Sequence, residues 1–201
     1  MSLRYAIAVL GAMILASATA FLSVAIKPEM VGAATTSVKT CSGANIDLED
    51  KEERTLVLQN ETRADHGLEP LCINPLLTRA ARSHSREMVE KGYFSHYSED
   101  GEGVGARLRR FGYDWSVCGE NLAGGYGNPE EPDSIFELWT NSTHHRANIL
   151  DRRFRQVGVG TYTGTYNGIE EYTMYTVDFG SQTPENTQVM LLSRALCSRT
   201  Q

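Results

Sequence analysis

The longest apolar stretch of the chain lies at its start. After Arg4, no charged residue occurs from Tyr5 to Ile26, the pattern of a basic n-region followed by the apolar h-region of a secretory signal. Small residues at Ala16-Ser17-Ala18 and at Val31-Gly32-Ala33-Ala34 offer two cleavage sites. At about 1.5 Å per residue the same stretch would extend roughly 33 Å as a helix, enough to cross a bilayer. Residues 1–34 are therefore expected to be a signal peptide or an uncleaved signal anchor, and the rest of the chain to be exported. Any contact with membrane is expected only through that anchor.

Beyond this segment the pattern becomes that of a globular domain. Residues 35–46, rich in Thr, Ser, Gly and Ala, read as a linker. A helix is predicted from about Asp47 to His66, ended by Gly67. Asn74-Pro75 joins an N-cap residue to proline at the first helical position. The helix it opens carries Leu77, Ala80, Ala81, His84 and Met88 on one face and stops near Gly92. Tyr93 to Gly105 reads as a loop, followed by a short helix over Ala106–Phe111. Trp115–Gly125 reads as extended, and Ser134–Ser142 and Ala147–Asp151 as helices. Val157–Tyr162 and Glu171–Phe179 are β-rich runs flanking Asn167-Gly168, a hairpin dipeptide. Helices come early and the hairpin late, which predicts an α+β fold with helices packed on an antiparallel sheet. Residues 182–201 form a tail whose one apolar stretch, Val189–Leu192, has no evident role.

Composition narrows the classes further. With 201 residues, 41% hydrophobic and 22% charged, the chain is neither collagen-like, mucin-like nor wholly disordered. Its 19 basic and 25 acidic residues give a net charge of −6, which argues against a nucleic-acid partner. The clusters Arg107, Arg109, Arg110 and Arg152, Arg153, Arg155 accordingly read as solvated helix faces. Four cysteines, Cys41, Cys72, Cys118 and Cys197, occur without a CxxC pair. In an exported chain they suggest two disulfides with three connectivities open, of which Cys72–Cys118 with Cys41–Cys197 is preferred.

Several ordered blocks look familiar. They are Asn60-Glu61-Thr62-Arg63 with Gly67-Leu68-Glu69-Pro70-Leu71, then Phe94-Ser95-His96, then Gly119-Glu120-Asn121-Leu122. Trp139-Thr140-Asn141-Ser142, His145-Arg146-Ala147-Asn148-Ile149-Leu150, Val157-Gly158-Val159-Gly160 and Asp178-Phe179-Gly180 come after them. In this order they resemble the bacterial form of the CAP superfamily, also called SCP-like (cysteine-rich secretory, antigen 5 and pathogenesis-related 1). The resemblance implies an α-β-α sandwich over residues 47–181, with a central antiparallel sheet between helical layers.

It also implies a cleft that gathers two histidines and up to two glutamates, with a divalent cation bound in some members. The matching positions here are His96, Glu120 and His145. Two imidazoles and one carboxylate form a set suited to Zn²⁺, the favoured ion. The same residues could instead form a polar network that ties loops together. His145 is preferred over His144 because arginine follows it. The fourth, glutamate position of animal and plant members is not matched. Glu137 is the nearest carboxylate, and Ser134-Ile135-Phe136-Glu137 also fits a capping box. His84 reads as a core histidine and His66 as a favourable charge at a helix C-terminus.

The function expected from all this is a monomeric, secreted or cell-surface protein. It would bind a divalent cation, or a small, lipid or surface ligand, in the His/Glu cleft. The alternative is a metal-dependent hydrolase acting on extracellular peptide or envelope material. Ser95 and Ser142 lie near the histidines, but the sequence has neither a Gly-x-Ser-x-Gly elbow nor HExxH.

Overall fold

The alternation Val157-Gly158-Val159-Gly160 decides how the two helical layers meet the sheet. The computed structural model describes residues 34–182, so the signal or anchor segment and the tail from 183 onward lie outside the described residues. Within them the valine–glycine run belongs to β5 (Gln156–Tyr166), an inner strand of a four-stranded sheet. The strand order is β3 (Cys72–Ile73), β5, β6 (Ile169–Gln182) and β4 (Trp115–Gly125). β5–β6 and β6–β4 pair antiparallel, whereas the two-residue β3 pairs β5 in parallel.

Successive side chains on a strand point to opposite faces. Val157 and Val159, with Tyr175, Val177 and Phe179 of β6, therefore share one face, in a core with Leu56, Ile135, Trp139 and Ile149. Those partners come from α1 (Asp50–Asp65), α4 (Pro132–Asn141) and α5 (Thr143–Ile149). Gly158 and Gly160 face the other way, toward α2 (Pro75–Lys91), which lies on bare backbone. A Cβ on Gly158 would sit 2.1 Å from the Leu77 carbonyl carbon, and one on Gly160 would sit 2.1 Å from the Arg82 amide nitrogen. α2 and α3 (Val104–Arg110) cover this second face, burying Leu77, Ala80, Met88 and Leu108 with Leu122 and Met174. The result is the α-β-α sandwich that the sequence suggests.

Local chemistry accounts for the boundaries. The Asn74 side chain accepts the Leu76 amide at 2.9 Å and Pro75 follows it, while Gly92 ends α2 at φ 70°, a left-handed conformation that glycine adopts without strain. Asn167 and Gly168 turn the β5–β6 hairpin at φ 48° and 84°, as the dipeptide predicts.

Three stretches differ from expectation. Residues 35–46 are no bare linker: β1 (Thr35–Lys39) and β2 (Asn45–Glu49) form an antiparallel hairpin, and Leu48 is fully buried. α1 therefore starts at Asp50, with the Glu49 amide donating to the Glu52 carboxylate at 3.0 Å. α4 starts at Pro132 with Glu131 in the capping position, so Ser134 and Glu137 form no capping box. The short last helix spans 143–149 rather than 147–151, because the extended Ser142 separates it from α4.

The disulfide pairing also differs. Cys41 is bonded to Cys72, which replaces the preferred Cys72–Cys118 and Cys41–Cys197 set. The segment after β1 runs beside β3, where the Cys41 amide donates to the Ile73 carbonyl at 3.0 Å. That contact brings Cys41 to Cys72 and leaves Cys118 on β4 as a free thiol. Cys197 lies outside the described residues.

Because α2 rests on the two glycines, Gly158→Ala and Gly160→Ala should each destabilise the domain by roughly 1–3 kcal/mol or more, the cost of overpacking a closed contact. Urea denaturation should show the loss. Gly43→Ala shows backbone strain without overpacking, since its φ is 81° and a Cβ there meets nothing within 4 Å.

Candidate functional site

β4 is an edge strand, and edge strands carry unpaired carbonyls. Two of these are capped by side chains. The Glu120 carbonyl accepts Nδ2 of Asn148 at 3.1 Å, and the Leu122 carbonyl accepts Nε1 of Trp139 at 3.0 Å. β4 thus carries Glu120 toward the α2/α3 layer while its outer rim is held by α4 and α5.

The Glu120 side chain is only 1% exposed. Its Oε2 accepts Nη2 of Arg107, and its Oε1 accepts Nδ1 of His96 at 2.7 Å. Arg107 was expected on a solvated face, yet it is fully buried. A carboxylate in the core requires a cation beside it, and α3 supplies one. Arg109, Arg110, Arg152, Arg153 and Arg155 are exposed as expected. Nη1 of Arg107 also reaches the His96 carbonyl at 3.4 Å and the Ser98 hydroxyl at 3.3 Å, so one guanidinium holds both Glu120 and the loop that carries His96.

His84, on α2, anchors the same loop. Its Nε2–H donates to the Ser95 carbonyl at 2.9 Å. Burial, and then the positive charge of Arg107, hold its pKa below the ordinary histidine value. His84 is thus more than a core filler: it fixes the residue next to His96. The His96 ring is 54% exposed. Its Nδ1–H points at a carboxylate that can only accept, so the lone pair on Nε2 is left for a ligand.

His145 comes from the opposite layer. Asn121, fully buried beside Glu120 in sequence, donates Nδ2 to the His145 carbonyl at 3.0 Å and accepts Nδ2 of Asn148 at 2.8 Å. The end of α5 is held by Arg63, whose Nη1 donates to the carbonyls of Ile149 at 2.8 Å and Asp151 at 3.0 Å. Partial burial, then the charges of His96 and His144, lower the pKa of His145.

Glu137 is not brought to this group. It is exposed on α4, and among the described residues its carboxylate has no hydrogen-bond or ion-pair partner. Glu120 stands behind His96, with both oxygens engaged. Among the described residues, no group of three or more His, Cys, Asp or Glu side chains is arranged to hold a metal ion.

One participant was missed. Asp178 lies opposite Glu120 in the β4–β6 register and is fully buried. As a carboxylate, neither of its side-chain oxygens would have a donor. Burial, then the charge of Glu120, raise its pKa well above the ordinary aspartate value, and the protonated acid can donate to Glu120. An aspartate inside the apolar run Tyr175-Thr176-Val177-Asp178-Phe179 was the signal available in the sequence.

Residues 56–179 match the sequence profile of CAP, the cysteine-rich secretory protein family. The chain belongs to the CAP family. Over 109 residues it is 38% identical to the uncharacterized protein YkwD of Bacillus subtilis, covering 54% of this chain and 41% of that protein. It is 35% identical over 109 residues to the uncharacterized membrane protein YlbC of the same organism, covering 54% of this chain and 31% of that one. The match thus spans well under half of each relative. Among solved structures, the CAP domain resembles an extracellular SCP-domain protein of Bacillus anthracis at TM-score 0.57 and 29% identity, covering 66% of this chain and 40% of that chain. It shares its fold with an outer surface protein of Borrelia burgdorferi at TM-score 0.57 and 18% identity, covering 75% of this chain and all (100%) of that one.

Asp178→Asn tests the acid–carboxylate pair. The folded-state pKa of Asp178 is raised, so its stabilising contribution is complete below the unfolded value of about 3.9 and is lost as pH rises through the folded value. Asparagine donates to Glu120 with no proton to lose. The variant should therefore melt above the wild type at pH 7, and the difference should shrink toward pH 4. Thermal unfolding followed by circular dichroism across that range is the measurement.

Proposed function

We propose that this CAP domain is exported and binds a divalent cation between His96 and His145. The observation that carries the reading is the Glu120–His96 hydrogen bond. A buried carboxylate fixed by Arg107 orients His96 through Nδ1 and leaves Nε2 as a neutral donor, the arrangement that supports imidazole ligands in metal sites. The lowered pKa of His145 keeps its ring in the metal-binding form over a wider pH range. Two imidazoles suit Zn²⁺ or a similar borderline ion. With Glu120 committed to Arg107 and His96, the protein offers two donors, and the fit is to an exchangeable ion rather than a closed structural one. Such an ion would supply a positive centre with coordination positions left for water or a ligand oxygen.

Export is supported by the basic and apolar pattern of residues 1–34 and by the Cys41–Cys72 disulfide, a bond that persists in oxidising compartments. The extracellular and outer-surface descriptions of the two structural neighbours agree with it. No helix among the described residues is long and apolar enough to cross a membrane. The hydrolase reading gains nothing from Ser95: its hydroxyl accepts the Tyr97 amide at 3.0 Å.

Calorimetric titration with Zn²⁺ tests the proposal. Binding should be lost in both His96→Ala and His145→Ala and should persist in Glu137→Gln. It should weaken as pH falls below about 6.5, where imidazoles take up protons. Unchanged Zn²⁺ binding in both histidine variants would refute the site.

A further inference from the structure

A cavity of about 230 Å³ lies where the end of α1 meets the turn before β5, lined by Arg63, Gly67, Leu68, Glu69, Arg152 and Arg155. Three arginines thus face one cavity in a chain whose net charge is −6. The turn has one carboxylate of its own, Asp151, and Arg153 engages it: Nε and Nη2 of Arg153 donate to Oδ2 at 3.0 and 2.6 Å. Among the described residues, no carboxylate forms an ion pair with Arg63, Arg152 or Arg155. Burial, and then the charge of Arg155, hold the pKa of Arg63 below the ordinary arginine value. Like charges are gathered here with no anion between them.

Counting donors shows what the cavity can hold. Arg63 is fully buried and donates to the carbonyls of Glu69 at 2.9 Å, Ile149 at 2.8 Å, Asp151 at 3.0 Å and Phe154 at 3.4 Å. A guanidinium has five N–H groups, so one remains. Nη1 of Arg155 donates to the carbonyls of Arg152 and Phe154, which tethers this side chain and leaves its Nε and Nη2 edge open. The Arg152 side chain has no hydrogen bond among the described residues. Guanidinium forks match oxyanions, phosphate above all. Donors that reach in from α1 on one side and from the turn on the other suit a tetrahedral anion better than a planar carboxylate. The volume is well above the roughly 30 Å³ share of one water molecule, so a phosphoryl group with a small substituent fits. Glu69 is the one carboxylate on the wall; it is exposed and opposes the three cations only in part.

We propose that this cavity binds a phosphoryl group, free or carried on a larger molecule, held by Arg152 and Arg155 with Arg63 beneath it. The site is built from α1 and the turn before β5, and it stands whether or not His96 and His145 hold a cation.

The test is calorimetric titration of the protein with inorganic phosphate and with glycerol 3-phosphate at constant ionic strength. Saturable binding at one site is expected. It should weaken about tenfold or more in Arg152→Gln/Arg155→Gln, the loss of charge-assisted hydrogen bonds. Arg152→Gln alone, which breaks no hydrogen bond of the fold, should already weaken it. Glu69→Gln should tighten it by roughly two- to fivefold, the scale of one exposed charge. Arg109→Gln/Arg110→Gln removes the same charge from α3 and should leave binding unchanged. Tighter binding of glycerol 3-phosphate makes the ligand a phosphoryl group on a larger molecule, and tighter binding of phosphate makes it the free anion; either upholds the site. No saturable binding of either probe, or equal binding in the wild type and the Arg152/Arg155 variant, would overturn it. So would an equal loss in the Arg109/Arg110 variant, which would reveal a diffuse charge effect.

Discussion

A carboxylate with 1% of its side chain exposed keeps its charge only beside a cation, and Glu120 meets that condition through the buried guanidinium of Arg107. Much of the site depends on this pair. The second Glu120 oxygen is free to accept Nδ1–H of His96, which sets the tautomer and direction of that ring. A second guanidinium nitrogen, Nη1, holds the His96 loop by its carbonyl and by Ser98. A second acid across the strand pair, Asp178, is pushed toward its protonated form by burial and then by the charge of Glu120. His84, facing the same guanidinium, stays neutral and binds the loop at Ser95.

His84 reaches the His96 loop from α2, which lies close against the sheet. Gly158 and Gly160 remove the side chains that would hold it away, and α2 is the helix that carries His84. On the other face, amides and backbone carbonyls hold the helix that carries His145. Asn121 and Asn148 link β4 to α5, and Arg63 donates to backbone carbonyls at the end of that helix. His96 and His145 are therefore held separately, one from each helical layer, on either side of an edge strand. An electrostatic clamp holds His96, and an amide and carbonyl network holds His145. Neither layer alone would place both rings.

Much of the framework was legible because its signals are local. Asn74-Pro75 and Gly92 mark α2, Asn167-Gly168 marks the hairpin, and the alternation at 157–160 marks a strand pressed on one face. The ordered family blocks singled out His96, Glu120 and His145, of which His96 and Glu120 are hydrogen-bonded to each other. What was not legible depends on partners distant in the chain. Arg107 looks like any arginine of a basic helix until Glu120 is placed beneath it. β1, β2 and β3 are too short to carry a period, so the Cys41–Cys72 pairing that they create was hidden with them. Glu137 matched a capping pattern by sequence alone, while Pro132 moved the true helix start ahead of it.

Arg107 and Glu120 act as one unit. A double-mutant cycle with Arg107→Met and Glu120→Gln, read by urea denaturation, measures this directly. Removing only the arginine leaves a buried charge unpaired and should cost about 3–5 kcal/mol. Adding Glu120→Gln should recover part of that loss, giving a coupling energy of about 1–3 kcal/mol. Losses that add within about 0.5 kcal/mol would show two independent residues and contradict it.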